Sequence, residues 1–385
     1  MSAVLLCGDS LHIPLADESV QCVVTSPPYW GLRDYGVAGQ LGLEKTPEEY
    51  VEKLVVVFRE IKRVLRKDGT LWLNLGDSYA GSGKGPEGGI NKGSEFRHLE
   101  RVAGRAGVPG LKPKDLAGIP WRVAFALQAD GWWLRSDIIW HKPNCMPGSQ
   151  MDRPTSAHEH MFLLTKSPCY FYDQEAVKVP ASGESGYSKE RKKGKNTWDY
   201  NTTKERIQAT GQVHSGGSPE TALKTIRDVW SISTQAYKGA HFAVFPVKLV
   251  EPCIKAGTSE MGCCPKCGAP WVRVIEHTTA TSQSTVRLNS DRNDSGHTQF
   301  VGAKNNTTGW QPTCTCDAGA TVPCVVLDPF SGSGTTGVVS VQRGRHFVGI
   351  DLKAAYHMLA KERLGKVQML LPGESVAKAR KELAV

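Results

Sequence analysis

The sequence has no apolar run approaching the ~20 residues that a membrane-spanning helix needs, so no such span is expected. No leader is expected either: Met1-Ser2-Ala3-Val4-Leu5-Leu6 is too short and uncharged for a secretory signal and reads as a first strand. Acidic residues are in deficit, 38 against 47 Lys and Arg, for a net charge of +9. That balance is compatible with a polyanionic partner and does not by itself require one. The 11 cysteines are odd in number and scattered. They give no disulfide framework; thiols or metal ligation fit an intracellular chain better. A length of 385 residues allows one large α/β domain with insertions, or two to three units.

Two stretches stand out. The first is Thr25-Ser26-Pro27-Pro28-Tyr29-Trp30, after the apolar strand Gln21-Cys22-Val23-Val24. Two prolines cannot continue a sheet ladder, so the strand stops and the chain turns out rigidly. The turn offers a hydroxyl (Ser26), a constrained carbonyl (Pro27) and two aromatic faces (Tyr29, Trp30). Such a set suits a flat heteroaromatic amine: rings stack on its face while the hydroxyl and carbonyl accept from its NH2 group. A strand-ending turn with a surface aromatic pair is the plainer alternative. The second stretch runs Val325-Val326-Leu327-Asp328-Pro329-Phe330-Ser331-Gly332-Ser333-Gly334-Thr335-Thr336-Gly337. It is a strand, a glycine turn and a helix start, where backbone comes close to a ligand and anionic groups are favoured. The next strand, Arg345 to Ile350, ends in Asp351. An acid there commonly binds ribose hydroxyls, and the interval from Gly334 is close to the ~20 residues usual for such a unit.

Together the two stretches resemble the amino-group DNA methyltransferases, which act on exocyclic nitrogens of cytosine or adenine. D-P-F-x-G-x-G-T-T is similar to that family's S-adenosylmethionine motif, and S-P-P-Y to its catalytic motif. With the catalytic motif first and the cofactor loop last, the order resembles the circularly permuted β class. The resemblance implies a Rossmann-like α/β methyltransferase sheet. It implies a catalytic set of Ser26, Pro27, Pro28 and Tyr29. For the cofactor it implies Asp328, Pro329, Phe330, Gly332, Gly334, Thr335 and Asp351, with Asp9 near the adenine and Phe245 and Pro246 near the methionine end. Duplex DNA is the implied partner, with base flipping, because the amino group is paired inside the stack. A homodimer and a cognate restriction endonuclease are further companions the resemblance admits, in the cytoplasm of a bacterial or phage-infected cell.

Ser26 before the prolines leans towards cytosine N4; adenine N6 is the alternative on the same fold. Pro252-Cys253 and Pro323-Cys324 raise the cytosine-C5 chemistry, which uses a Pro-Cys nucleophile. Neither lies in a turn at the catalytic position, so that reading is rejected. Methylation of RNA or of a protein glutamine at an N-P-P-Y site is disfavoured by Ser in place of Asn. A zinc-stapled DNA-binding protein without catalysis is the alternative of another class.

The rest of the chain divides around these stretches. Residues 1–178 form the catalytic half, and 241–262 with 322–385 the cofactor half. Thr46-Pro47-Glu48-Glu49 starts a helix with a cap and capping box, and Gly69 is expected to stop it. Asp77 and Tyr79, at a strand end, are site-lining candidates or turn residues. Lys142-Pro143-Asn144 resembles a family loop lining the target-base pocket. His158-Glu159-His160 reads as structural rather than metal-binding, with no further ligands close by. Residues 179–240 are the expected target-recognition region: Arg191, Lys192, Lys193 and Lys195 lie beside Trp198 and Tyr200, a mix that suits phosphate contact and base stacking. Arg33, beside the catalytic turn, is a further phosphate candidate or a surface ion-pair partner of Asp34. Residues 263–321 are an insertion in which Cys264, Cys267, Cys314 and Cys316 can close a tetrahedral zinc site, with Cys263 as a substitute for Cys264. Four thiolates leave no open position, so such a metal is a staple and not a catalyst.

Overall fold

Short runs of Val, Ile and Leu build a central sheet whose order brings the two motifs side by side. The computed structural model describes residues 2–32, 34–80, 109–148, 150–180, 223–235, 245–278, 282–283, 299–300 and 304–368. It divides into two units: Met1–Ala176 with Arg227–Val272 and Pro312–Val385, and Val177–Ile226 with Arg273–Gln311.

The first unit holds strands β1 (Ala3–Cys7), β2 (Val20–Thr25), β3 (Leu65–Leu75), β4 (Trp133–His141), β5 (His158–Thr165), β8 (Val229–Ser231), β13 (Val325–Asp328) and β14 (His346–Asp351). They form one sheet in the order β1-β14-β13-β2-β3-β5-β4-β8. Pairing is parallel from β1 through β3, and β5 runs antiparallel to both β3 and β4. From β13 the chain crosses outward to β14; from β2 it crosses to β3 on the other side. The neighbours β13 and β2 therefore flank a switch point, where an open α/β sheet leaves a crevice at the carboxyl ends of its strands.

Helices cover this sheet: α1 (Pro47–Val64), α2 (Ile119–Ala129), α3 (Val247–Gly257), α4 (Thr335–Gln342) and α5 (Ala354–Gln368). Tyr50, Leu54, Val57, Phe58 and Ile61 recur at helical spacing along α1 and meet Val23, Leu71, Leu73 and Leu75 in the main core. Alternation sends Cys22, Val24 and Trp72 to the opposite face of their strands. Val338 and Val341 of α4, Phe347 of β14, and Leu364 and Val367 of α5 make a second cluster. Thr46 caps α1, accepting from Glu49 N at 3.1 Å, but the Glu49 carboxylate reaches back to Lys45 N instead of closing the box on Thr46.

Gly69 does not end α1. The helix stops at Val64 and β3 starts at Leu65, with the register against β2 jumping from Val20↔Leu65 to Cys22↔Thr70. The glycine sits in that irregularity, where a Cβ would lie 2.6 Å from Leu65 Cδ1 and 2.9 Å from Gln21 O. β8, inside the stretch expected to read the target, pairs with β4 in the main sheet. No helix among the described residues is long and apolar enough to cross a membrane.

The second unit contains the paired strands β6 (Val179–Pro180) and β7 (Leu223–Lys224), and the pair β10 (Ser282–Gln283) and β11 (Gln299–Phe300). It also contains most of the pair β9 (Trp271–Thr278) and β12 (Lys304–Pro312). Arg273 lies over the Trp310 ring at 4.4 Å.

Candidate active site

A cavity of about 620 Å³ opens at the carboxyl edge of the first unit's sheet. Ser26, Pro27, Pro28 and Tyr29 line it where β2 ends, and Pro329, Phe330, Gly332 and Thr335 where β13 ends. Asp9, Asp351 and Phe245 complete the expected set on its wall. Three expected residues stand behind the wall. Pro246 is the N-cap of α3. Gly334, at φ 76°, is the N-cap of α4, and an added Cβ there would lie 2.8 Å from Ala360 Cβ. Asp328 is fully buried and ties the two strand ends together.

Asp328 Oδ1 accepts from Thr25 Oγ1 at 2.7 Å and from Phe330 N at 3.1 Å, and its Oδ2 accepts from Thr336 Oγ1 at 2.7 Å. One carboxylate thus fixes the last residue of β2, the loop after β13 and the first turn of α4. Burial pushes its acid up to about 6, against the opposing pull of the two threonine hydroxyls.

Asp351 anchors the next strand end. Its Oδ2 accepts from Gly332 N at 2.9 Å and its Oδ1 from Lys353 N at 2.8 Å. Each oxygen keeps further acceptor capacity, which suits a vicinal diol. Burial raises this acid too, opposed by those backbone N–H groups. Ser331 Oγ lines the cavity and is buried without a hydrogen-bond partner among the described residues. Asp9 is exposed, and its carboxylate accepts from Leu11 N at 3.0 Å.

The catalytic turn is held from beneath. Tyr50 OH donates to Pro28 O at 2.8 Å. Tyr29 OH donates to Glu159 Oε2 at 2.7 Å, lies 3.0 Å from Asn74 Oδ1, and accepts from Ser26 Oγ at 3.3 Å. Burial, then the Glu159 carboxylate, pushes the phenol well above its usual range, so Tyr29 is neutral. Gly76 lets the ring approach: a Cβ there would lie 2.6 Å from Tyr29 Cε2. Trp30 corrects an expectation. It is 1% exposed in the core with its indole N–H donating to Glu44 O at 3.0 Å, so only one of the two aromatic faces reaches the cavity.

Sequence reasoning missed Glu159 and Asn74, both on the cavity wall. Glu159 sits between two histidines read as structural rather than metal-binding; the usable signal is an acid opening an otherwise apolar strand. His160 is structural, 2.9 Å from Asp137 and stacked on Phe162. Asp77 takes its turn role, accepting from Gly118 N and Ile119 N at the start of α2. Tyr79 lies under Arg153 at 3.5 Å and, like Asp77, does not line the cavity. Cys253 and Cys324 are buried in the core and absent from the cavity wall, so neither Pro-Cys pair offers a nucleophile there. Arg33, Arg191, Lys192, Lys193 and Lys195 lie outside the described residues.

At the opposite edge of the sheet, the sulfurs of Cys264, Cys267, Cys314 and Cys316 lie within 4.8 Å of one another. That spread and an all-thiolate donor set fit a tetrahedral zinc with Zn–S bonds of ~2.3 Å. Cys263 is not a substitute ligand: its backbone pairs with Val322, and its thiol faces the Val322 and Pro323 carbonyls. The knuckle docks on the strand starts, where Gln21 Nε2 donates to Gly268 O at 3.2 Å and Arg66 donates to Cys267 O.

Comparison with known proteins follows the same division. The profile of the N6/N4 methyltransferase family, described as DNA methylase, matches residues 20–264 and 323–362. The chain is 39% identical over 368 residues to the Type II methyltransferase M.SmaI of Serratia marcescens, covering 94% of this chain and 91% of that protein. It is 33% identical over 397 residues to the Type II methyltransferase M.SfiI of Streptomyces fimbriatus, covering 91% and 88%. Among solved structures it resembles the PvuII DNA methyltransferase (cytosine-N4-specific), with a TM-score of 0.52 and 16% identity over 99% of this chain and 91% of that one. The last likeness is one of fold.

Proposed function

The chain belongs to the N6/N4 DNA methylase family, and we propose that it transfers a methyl group from S-adenosylmethionine to the exocyclic N4 of cytosine in duplex DNA. The observation that carries this reading is the shared cavity. The S-P-P-Y turn and the glycine turn stand on adjacent parallel strands, tied by Asp328.

Bound S-adenosylmethionine would supply an electrophilic methyl group, with its sulfonium sulfur as the leaving group and the amino proton released to solvent. The chain's residues hold and orient. Asp351 offers acceptors to the ribose, Gly332 and Thr335 line the approach of the methionine end, and Phe330 and Phe245 supply apolar walls. Ser331 Oγ, buried without a hydrogen-bond partner among the described residues, would be available to the bound molecule. The target's amino group lies between Ser26 and the Pro27 carbonyl, which accept its two hydrogens and favour a pyramidal nitrogen. Tyr29 stacks on the ring. Orientation and fixed dipoles supply most of the rate. The order of the motifs in the chain supports the permuted β class.

The four cysteines hold a structural zinc at the amino edge. It closes the ends of the insertion, and its all-sulfur donor set leaves no position for a substrate. The basic segment around Arg191 to Lys195 contributes target recognition, with duplex DNA as partner.

Incubating the protein and its Ser26→Ala variant with methyl-labelled cofactor and unmodified DNA tests the reading. Label should enter DNA with the wild type only, while both proteins bind the cofactor. A Ser26→Ala protein as active as the wild type would remove the role given to that hydroxyl.

A further inference from the structure

Lys142 and Glu159 form an ion pair in the cavity wall, their side chains 18% and 16% exposed. The cost of desolvating such a pair offsets most of its attraction, so it is weak as a stability device and its presence calls for another use. A count of donors and acceptors indicates that use. Glu159 Oε2 already accepts from Tyr29 OH at 2.7 Å and from Asn74 Nδ2 at 3.2 Å, while its Oε1 takes Lys142. Asn74 is in turn fixed through His160 O at 3.1 Å. Glu159 is thus close to saturated and held on three sides.

Lys142 is not saturated. An ammonium has three donors. One goes to Glu159, and the group lies 4.5 Å from the centre of the Trp140 ring, itself fixed by its indole N–H on Ile232 O at 2.8 Å. The other two N–H groups have no protein acceptor among the described residues. They belong to a cation on the cavity wall, linked through Glu159 and Tyr29 to Ser26.

A flipped cytosine presents its amino group, then N3, then O2 along one edge. With the amino group at Ser26, two acceptors remain to be met by donors. Adenine presents one ring acceptor beside its amino group and then a C–H; uracil and thymine present an N–H in place of the N3 acceptor. We propose that Lys142 is a specificity-determining residue that donates to N3 and O2 of the target cytosine, and that Glu159 is a positioning residue that holds Lys142 and Tyr29 around the base. The inference rests on the cytosine reading above and assigns the groups that select the base.

The test uses the full chain, unmodified genomic DNA and S-adenosylmethionine, with products resolved as nucleosides by mass spectrometry. Lys142→Met should lower kcat/KM for cytosine by ~100-fold or more, as expected when a site built to hydrogen-bond its substrate loses the group, and should narrow the cytosine-to-adenine product ratio. Lys142→Arg should recover part of the loss. Glu159→Gln should lower kcat ~10- to 100-fold, with KM for DNA changed less than ~3-fold, because the interaction lost is one of orientation. Cofactor affinity should stay within ~2-fold in all three, since among the described residues the side chains of Lys142 and Glu159 bond to each other, Tyr29 and Asn74 and not to Asp351 or the glycine turn. Lys142→Met with unchanged kcat/KM and base ratio overturns the inference while leaving the methyltransferase reading intact. Loss of cofactor binding in that variant makes the pair structural and also overturns it. A wild type that makes N6-methyladenine, or no methylated nucleoside, removes the reading on which it rests.

Discussion

The two edges of the central sheet use the same kinds of strand for opposite ends. At the carboxyl edge, β2, β13 and β14 stop abruptly at Ser26-Pro27-Pro28, at Pro329 and at Asp351, leaving polar groups aimed into a cavity. At the amino edge, roughly 20 Å away at ~3.3 Å per residue, the starts of β2 and β3 are clamped under the cysteine knuckle through Gln21 and Arg66. Gln21 also accepts from Val325 N at 2.7 Å, joining the start of β13 to the same clamp. Among the described residues, acceptor capacity is spare at the first edge, on Asp351 and the Pro27 carbonyl, and taken up in the Gln21 and Arg66 clamp at the second. A fold that separates the two can leave polar groups available at one end while the other holds the strands in register.

The comparison predicts that damage at one edge costs chemistry and at the other costs stability. The largest effect belongs to Ser26→Ala, expected to lower kcat by ~10³-fold with the melting temperature unchanged, as for loss of a group acting in the transition state. Cys314→Ser or chelation should come next. Bound zinc should fall from one per chain to none, and stability should drop by about 3 kcal/mol, measured by denaturant melts with metal analysis. Equal loss of kcat in the still-folded protein would break the division between the edges. Asp351→Asn should weaken cofactor binding ~10- to 100-fold by calorimetry, the range for hydrogen bonds to a charged group. The most gradual effect is the pH dependence of Asp328. Its native acid holds a proton up to about 6, while the unfolded chain releases it near 3.8. Its contribution to stability is therefore complete below pH 3.8 and lost as pH rises through about 6. Relative to Asp328→Asn, wild-type stability should fall across that window by up to ~1.4 kcal/mol per unit.

Much of the carboxyl edge was legible in the chain because its signals are local. Two prolines end β2, glycines open the turn after β13, and an acid closes β14; each is a strand end with its own chemistry. The amino edge was legible through the C-x2-C spacing of Cys264 and Cys267, to which Cys314 and Cys316 were matched by chemistry alone. What escaped was long-range. Glu159 reaches Tyr29 across 130 positions because β5 enters the sheet antiparallel beside β3, and no local pattern records that pairing. Asp328 read as a cofactor ligand, since burial behind Thr25 and Thr336 is a property of packing. Trp30 read as a surface ring because the turn hides the core position it fills. Gly69 read as a helix stop, although its small size serves the irregular join of β2 and β3.

The most direct test of the account is nucleoside mass spectrometry of unmodified DNA after incubation with the protein and S-adenosylmethionine. The account predicts N4-methylcytosine, absent from the Ser26→Ala reaction. N6-methyladenine as the product would keep the fold and the division of its edges but contradict the assigned base, and no methylated nucleoside from a protein that binds the cofactor would contradict DNA as the substrate.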